Sequence, residues 1–185
     1  MIHEIDMFFK DISAPQWSAT VSTVALIITI IVQIREWRKS IFSRSIETAL
    51  KFEDKFDSPD FRKIRKSAAT YLLSEPYVYD YEAEEKVCHI LNFFETLGFL
   101  YSKKAISVAT IWQFFGYWAI NYYLASKPII ERSKKDDRTL YSELEILFNE
   151  LVHIEQQRRS GQGINATHTP ESINEFLVCE AALHE

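Results

Sequence analysis

From Ile12 to Ile34 no residue is charged, and the centre of this stretch, Val21 to Ile34, reads VSTVALIITIIVQI, aliphatic or β-branched on nearly every side. At a rise of about 1.5 Å per residue, roughly 20 such residues cross a ~30 Å hydrocarbon layer as a helix that satisfies its own backbone hydrogen bonds. The pattern predicts a transmembrane helix over 17–36. Its anchor is Trp17, Val21, Ile27, Ile30, Ile34 and Trp37, with the two tryptophans at the headgroup levels and Pro15 in the first turn. A buried core helix of a soluble protein is the alternative reading of the same pattern.

Beyond the span the apolar positions recur at three- and four-residue steps. Phe42, Ile46, Ala49, Leu50 and Phe56 predict that the first helix continues as a stalk with one apolar face. Ser58-Pro59-Asp60 carries a capping hydroxyl, a first-turn proline and a carboxylate near the positive end of a helix dipole, so a second helix runs to about Leu73. Glu75-Pro76 breaks it, and the acidic stretch Asp80 to Glu85 opens a third helix whose stripe includes Val87, Ile90, Leu91, Phe94 and Leu97, ending near Tyr101.

Ala105 to Ser126 is uncharged and apolar nearly all round. Gln113, Gly116 and Asn121 interrupt it and lysines flank it, so it reads as the central helix of a buried core, with a second membrane span as the alternative. A short basic segment follows Pro128, and TLYSELEILFNELVHIEQQRR from Thr139 is amphipathic through Leu140, Leu144, Leu147, Leu151 and Ile154. Ser160 to Gly163 is linker chemistry, and Thr169-Pro170-Glu171-Ser172 starts a short helix, Ile173 to Leu183. The fold class is therefore all-α: an N-terminal transmembrane helix followed by a cytosolic bundle of five or six helices. Four segments follow: an extracytoplasmic N-terminus 1–16, the span 17–36, a helical domain 37–159, and a linker with a C-terminal helix 160–185.

Charge adds an orientation. Arg35, Arg38, Lys39 and Arg44 crowd the C-terminal flank of the span, whereas Lys10 is the one basic side chain before it. Positive-inside bias then puts the N-terminus outside an inner membrane and the bulk of the chain in the cytoplasm. The acidic start (Glu4, Asp6, Asp11) and the exit QIREWRKS do not resemble a cleaved signal peptide. Only 4 Gly and 5 Pro among 185 residues leave few turn formers for an all-β domain, and a net charge of −5 supplies no general field for nucleic acid. Two distant cysteines, Cys88 and Cys179, form no disulfide framework and no CxxC motif.

Catalytic patterns are missing from the sequence. Histidines 3, 89, 153, 168 and 184 make no HExxH, and there is no Walker loop, GxGxxG or GxSxG. No cofactor or metal is expected. Glu95, inside LNFFETLGFL, is the most informative single residue, because a carboxylate among phenylalanines is costly to bury alone. Arg62 or Arg65 is the expected partner in a buried ion pair. The basic run Arg132, Lys134, Lys135, Arg138 reads as a solvated face, with lipid headgroups or RNA as its candidate ligands.

The order of one span, a basic exit, FDSPDFRKIRKSAATYL, VCHILNFFETLGFLYSKKAIS and WQFFGYWAINYY resembles a family of bacterial membrane proteins catalogued as a domain of unknown function, over about residues 17 to 158. That family brings no catalytic residues with it. The architecture is also broadly similar to the membrane accessory proteins of type VI-B CRISPR systems, which implies a helical domain of the HEPN kind and pore formation. The HEPN ribonuclease pattern places His shortly after Arg, and Arg159 and His168 stand too far apart for it. The expected function is a membrane-anchored, non-enzymatic interaction module, an oligomeric effector or accessory factor in anti-phage defence. A degenerate HEPN-like ribonuclease and a monomeric membrane protein are the alternatives. Expected partners are a lipid bilayer and further copies of the chain; nucleic acid is unsupported. Small and hydroxyl residues in the span, Ser18, Thr20, Ser22, Thr23, Ala25 and Thr29, suit close helix approach.

Overall fold

A computed structural model describes residues 14–74, 80–160 and 168–183, the side chains of 14–21, 38, 159 and 160 excepted. The described residues form seven helices: α1 Ala14–Phe56, α2 Pro59–Leu73, α3 Tyr81–Ser102, α4 Val108–Ala125, α5 Lys127–Asp136, α6 Ser142–Ser160 and α7 Pro170–Ala181. Sequence signals set most of their starts. Ser58 accepts the Phe61 N–H (3.3 Å), Asp80 accepts the Glu82 N–H (3.0 Å), Ser107 accepts the Thr110 N–H (3.1 Å), and Thr169 accepts the Ser172 N–H (3.2 Å). Each satisfies an N–H that the first turn leaves without an intrahelical partner. The predicted break at Glu75-Pro76 and the 161–167 part of the predicted linker lie outside the described residues.

The transmembrane expectation is corrected. Among the described residues no helix is long and apolar enough to cross a membrane. The uncharged stretch whose side chains are described runs from Ser22 to Ile34 and closes at Arg35 and Glu36. The aliphatic run is broken by the polar Thr23, Thr29 and Gln33 before it meets that charged pair. The anchor over 17–36, the single-pass topology and the inner-membrane localisation with the N-terminus outside fall with it. Of the proposed anchor residues, Trp17 and Val21 lie outside the described side chains, as does Arg38 of the basic flank. The extracytoplasmic segment before Ala14 lies outside the described residues.

The chain divides into two units, Met1–Ser43 and Arg44–Glu185. In the second unit, α3 packs against α2 and α6, α4 against α6, and α7 lies on α2. The core is aromatic: Phe56 meets Phe93, Phe115 and Trp118 at ring-centroid distances of 5.2, 5.9 and 5.6 Å, and Tyr122 meets Phe176 edge-on at 5.0 Å. Such tilted and edge-on pairs are the favoured aromatic geometry. Helix α4 is the central core helix, with Ile111, Phe115, Ala119 and Ile120 fully enclosed.

The end of α1 buries Ala49 and Phe56 of the predicted stripe, with Ile46 half-buried, but its buried face is turned toward Ser45 and away from Phe42 and Leu50. Ser45, Ala49 and Phe56 are buried, whereas Phe42 and Leu50 are exposed. The physical reason is Ser45. Its hydroxyl donates to Thr110 Oγ1 (3.2 Å) and accepts the Ser107 N–H (3.1 Å), so this helix is held at the start of α4 by a polar residue that a hydrophobic count passes over.

Candidate interaction surface

Three polar joints hold the second unit together, and the most buried centres on Glu180. Its carboxylate accepts from Arg65 Nε (2.7 Å) and Nη2 (2.6 Å), from the Tyr122 hydroxyl (2.7 Å) and from Trp118 Nε1 (3.2 Å). Arg65 also lies over the Phe56 ring at 4.1 Å and reaches the exposed Asp57 at 3.3 Å. Burial opposes the charge on Arg65, but its bonds to Glu180 and the charge of that carboxylate outweigh it and raise the guanidinium above its usual value. Burial, reinforced by Glu180, likewise pushes the Tyr122 phenol far up. The joint pins α7 across α2 and α4.

Glu95 is not the partner of either predicted arginine. Arg65 is taken by Glu180, Arg62 is exposed, and Glu95 instead accepts the backbone N–H groups of Leu144 (2.6 Å) and Glu143 (3.3 Å). The carboxylate of one helix thus caps the positive N-terminus of another, which meets its need for donors as an ion pair would. Gly98, one turn on, permits this approach: a Cβ there would stand 2.4 Å from the Glu143 carbonyl oxygen. Sequence reading missed Glu180, although its signal is of the same kind: one carboxylate one turn beyond Phe176 and Leu177 on the apolar face of α7.

The Arg159 side chain lies outside the described residues, and His168 Nε2 faces Glu155 Oε2 at 2.8 Å beside a cavity walled by Trp112 and Trp118. Neighbouring Arg158 lies over the Trp112 ring at 4.0 Å. Two of the four residues of the basic run are engaged in bridges, Arg132 with Glu84 and Lys134 with Glu145. Cys88 is half-buried, its thiol pushed up by burial, and Cys179 is exposed. Among the described residues no group of three or more His, Cys, Asp or Glu is placed to hold a metal ion.

The N-terminal unit shows the opposite economy. Val24, Leu26, Ile27, Ile28, Ile30 and Ile31 are all exposed, and so are Val32, Ile34, Trp37 and Phe42. Leu26 is 60% exposed and Trp37 67%, values of side chains facing open solvent. At about 100° per residue, the aliphatic side chains from Val24 to Ile34 sweep an arc of roughly 240°, interrupted by Thr23. Ser22, Ala25, Thr29, Gln33 and Glu36 share the remaining stripe, where Thr29 donates to the Ala25 carbonyl oxygen at 2.8 Å. Arg35, Lys39 and Arg44 are exposed beyond it. Contiguous exposed apolar surface of this extent is the kind that marks interaction sites.

No curated protein and no solved structure matches the chain. The model of a family described as a domain of unknown function, DUF4760, matches residues 18–151, which is most of the chain, and the protein belongs to that family.

Proposed function

We propose that this protein is a non-enzymatic interaction module that works as a homo-oligomer, assembled through the apolar N-terminal half of α1. The observation that carries the reading is the exposed aliphatic arc from Val24 to Ile34. Within it Val24, Ile27, Ile31 and Ile34 stand at alternating three- and four-residue steps, the spacing of a coiled-coil seam. All four are β-branched, and β-branched residues at both seam positions favour three or four strands over two. The width of the arc agrees, because a two-stranded seam covers a much narrower face than roughly 240°.

The area is sufficient. Burying the exposed half of each aliphatic side chain removes about 40 Å² and, with Trp37 and Phe42, on the order of 500 Å² per chain. A pair then buries about 1,000 Å², the lower bound for a specific interface, and further strands raise it.

Light scattering on the purified full chain tests the proposal. The expected mass is a discrete multiple of 21.7 kDa above the dimer. Replacing Ile27 and Ile31 together by Glu is expected to return it to a monomer while circular dichroism still shows a helical protein. A wild-type chain that is monomeric at about 100 μM overturns the reading, and so does one that self-associates equally well with both substitutions. A monomer that sediments with phosphatidylglycerol vesicles overturns it in favour of a lipid surface.

A further inference from the structure

The end of α1 does not close tightly on α2 and α3. Large rings hold the helices apart: Phe52 meets Phe93 edge-on at 5.4 Å, and Phe61 meets Phe93 at 5.1 Å. Beside them lies a cavity of about 400 Å³, within the range of small-molecule sites. Phe52, Phe61, Phe93 and Ile64 make its apolar walls. Lys51, Lys55 and His89 stand at it with the amide of Asn92, and no carboxylate lines it.

That charge pattern runs against the rest of the molecule, whose net charge is −5. The neighbouring acids do not neutralise it fully. Glu47 bonds Lys51 at 2.7 Å and Glu85 stands 3.5 Å from His89, both at the solvent-exposed surface, while Lys55 has no ion-pair partner among the described residues. An apolar cavity with cations at its mouth and no acid complements a ligand with an apolar body and one negative end. A neutral ligand would gain nothing from the lysines, and a cation would be repelled.

We propose that this cavity is a binding site for a small amphipathic carboxylate, its apolar body against the phenylalanines and its carboxylate between Lys51, Lys55 and the Asn92 amide. The site is independent of the self-association argued above, because every residue lining it belongs to the second unit.

Calorimetric titration of the full chain with octanoate, octanol and octylammonium tests the proposal. Octanoate is expected to bind saturably at one site per chain, more tightly than octanol, with octylammonium silent. Lys55→Gln, at an exposed position, should weaken octanoate about threefold to fivefold and leave octanol unchanged, the size expected of a solvent-accessible charge pair. Asn92→Trp, also at an exposed helix position, should fill the cavity and abolish octanoate binding with the far-ultraviolet spectrum intact. Absence of saturable octanoate binding up to millimolar concentration overturns the proposal. Equal affinity for the three probes, or binding that survives Asn92→Trp, overturns it as well, the latter by assigning the heat to the exposed face of α1.

Discussion

Replacing Glu180 by Ala should release α7 without unfolding the rest of the second unit. The substitution removes the acceptor of four hydrogen bonds and leaves the guanidinium of Arg65, 3% exposed, with weak compensation: Asp57 at 3.3 Å, the Phe56 carbonyl at 3.4 Å and the Phe56 ring. Breaking one side of a buried pair costs about 3–5 kcal/mol, and these remaining partners place the effect near the lower end, about 3 kcal/mol. Against it, α7 buries Phe176 and Leu177, together on the order of 3–6 kcal/mol before the cost of ordering the helix. The two magnitudes are close, so the helix should open locally while α3, α4 and α6 stay folded. Amide hydrogen exchange is the assay: protection over 170–181 should fall about a hundredfold, since 1.4 kcal/mol is a factor of ten, with exchange in α3 unchanged. The double variant Arg65→Met, Glu180→Leu should recover part of the loss, but not all, because Tyr122 and Trp118 still lack their acceptor. Exchange over 170–181 within threefold of wild type in Glu180→Ala, or a double variant as damaged as the sum of the singles, would refute the reasoning.

Gly98→Ala should cost about 1–3 kcal/mol in urea unfolding, because its Cβ would meet the backbone oxygen of Glu143 at 2.4 Å and force α3 and α6 apart. Gly116→Ala meets only the Trp112 ring at 3.1 Å, and the helix-propensity gain of about 1 kcal/mol should leave it near neutral; a larger loss there than at Gly98 would overturn the packing account. Stability should also fall at alkaline pH. The phenols of Tyr122 and Tyr141 are raised by burial above the ordinary value of 10.0, so the folded chain keeps protons that the unfolded chain releases; this stabilisation is complete below pH 10 and is lost as pH rises. Each phenol should steepen the loss by about 1.4 kcal/mol per pH unit, and Tyr122→Phe should remove one such contribution; an unchanged slope in that variant would refute the assignment.

Most of the fold was legible because helix starts are written locally. Ser58, Asp80 and Thr169 each sit directly before the first turn they cap, and the apolar stripe of α3 needs only its own sequence to be read, whereas the start of α4 at Ser107 lies inside a stretch that was read from Ala105. The joints were not legible, because each depends on a partner far along the chain. Arg65 and Glu180 are 115 residues apart, and Glu95 finds its donors on a helix start some 48 residues later. Sequence reasoning correctly asked what a carboxylate among phenylalanines would bond, but the answer was two backbone N–H groups, a donor class that residue identity does not display. The span failed for a different reason. Hydropathy registers how apolar a stretch is, and the same aliphatic run serves equally for facing lipid and for packing on other helices.

The two units divide the work of polar and apolar residues in a way that bears on function. In the second unit buried and half-buried charges and hydroxyls set the register: Ser45 at the start of α4, the half-buried Glu95 at the start of α6, and Glu180 at the crossing of α7 with α2 and α4. A shift of one residue in any of these helices would leave a buried donor or acceptor unsatisfied, at about 1–3 kcal/mol each, so one packing is specified among the many that an aromatic core would tolerate. The stretch from Val24 to Ile34 has no such device, and Thr29 is satisfied within its own turn. In the proposed assembly its packing against other copies would be fixed by shape and spacing alone. Assemblies of that kind change strand number readily when seam residues change branching. Ile27→Leu with Ile34→Leu, which keeps hydrophobicity but moves the branch point at alternate seam positions, should therefore lower the number of chains without abolishing assembly. A mass unchanged by this pair but reduced to the monomer by Glu at Ile27 and Ile31 would keep this face at the interface and refute the claim that branching at the seam sets the number of chains.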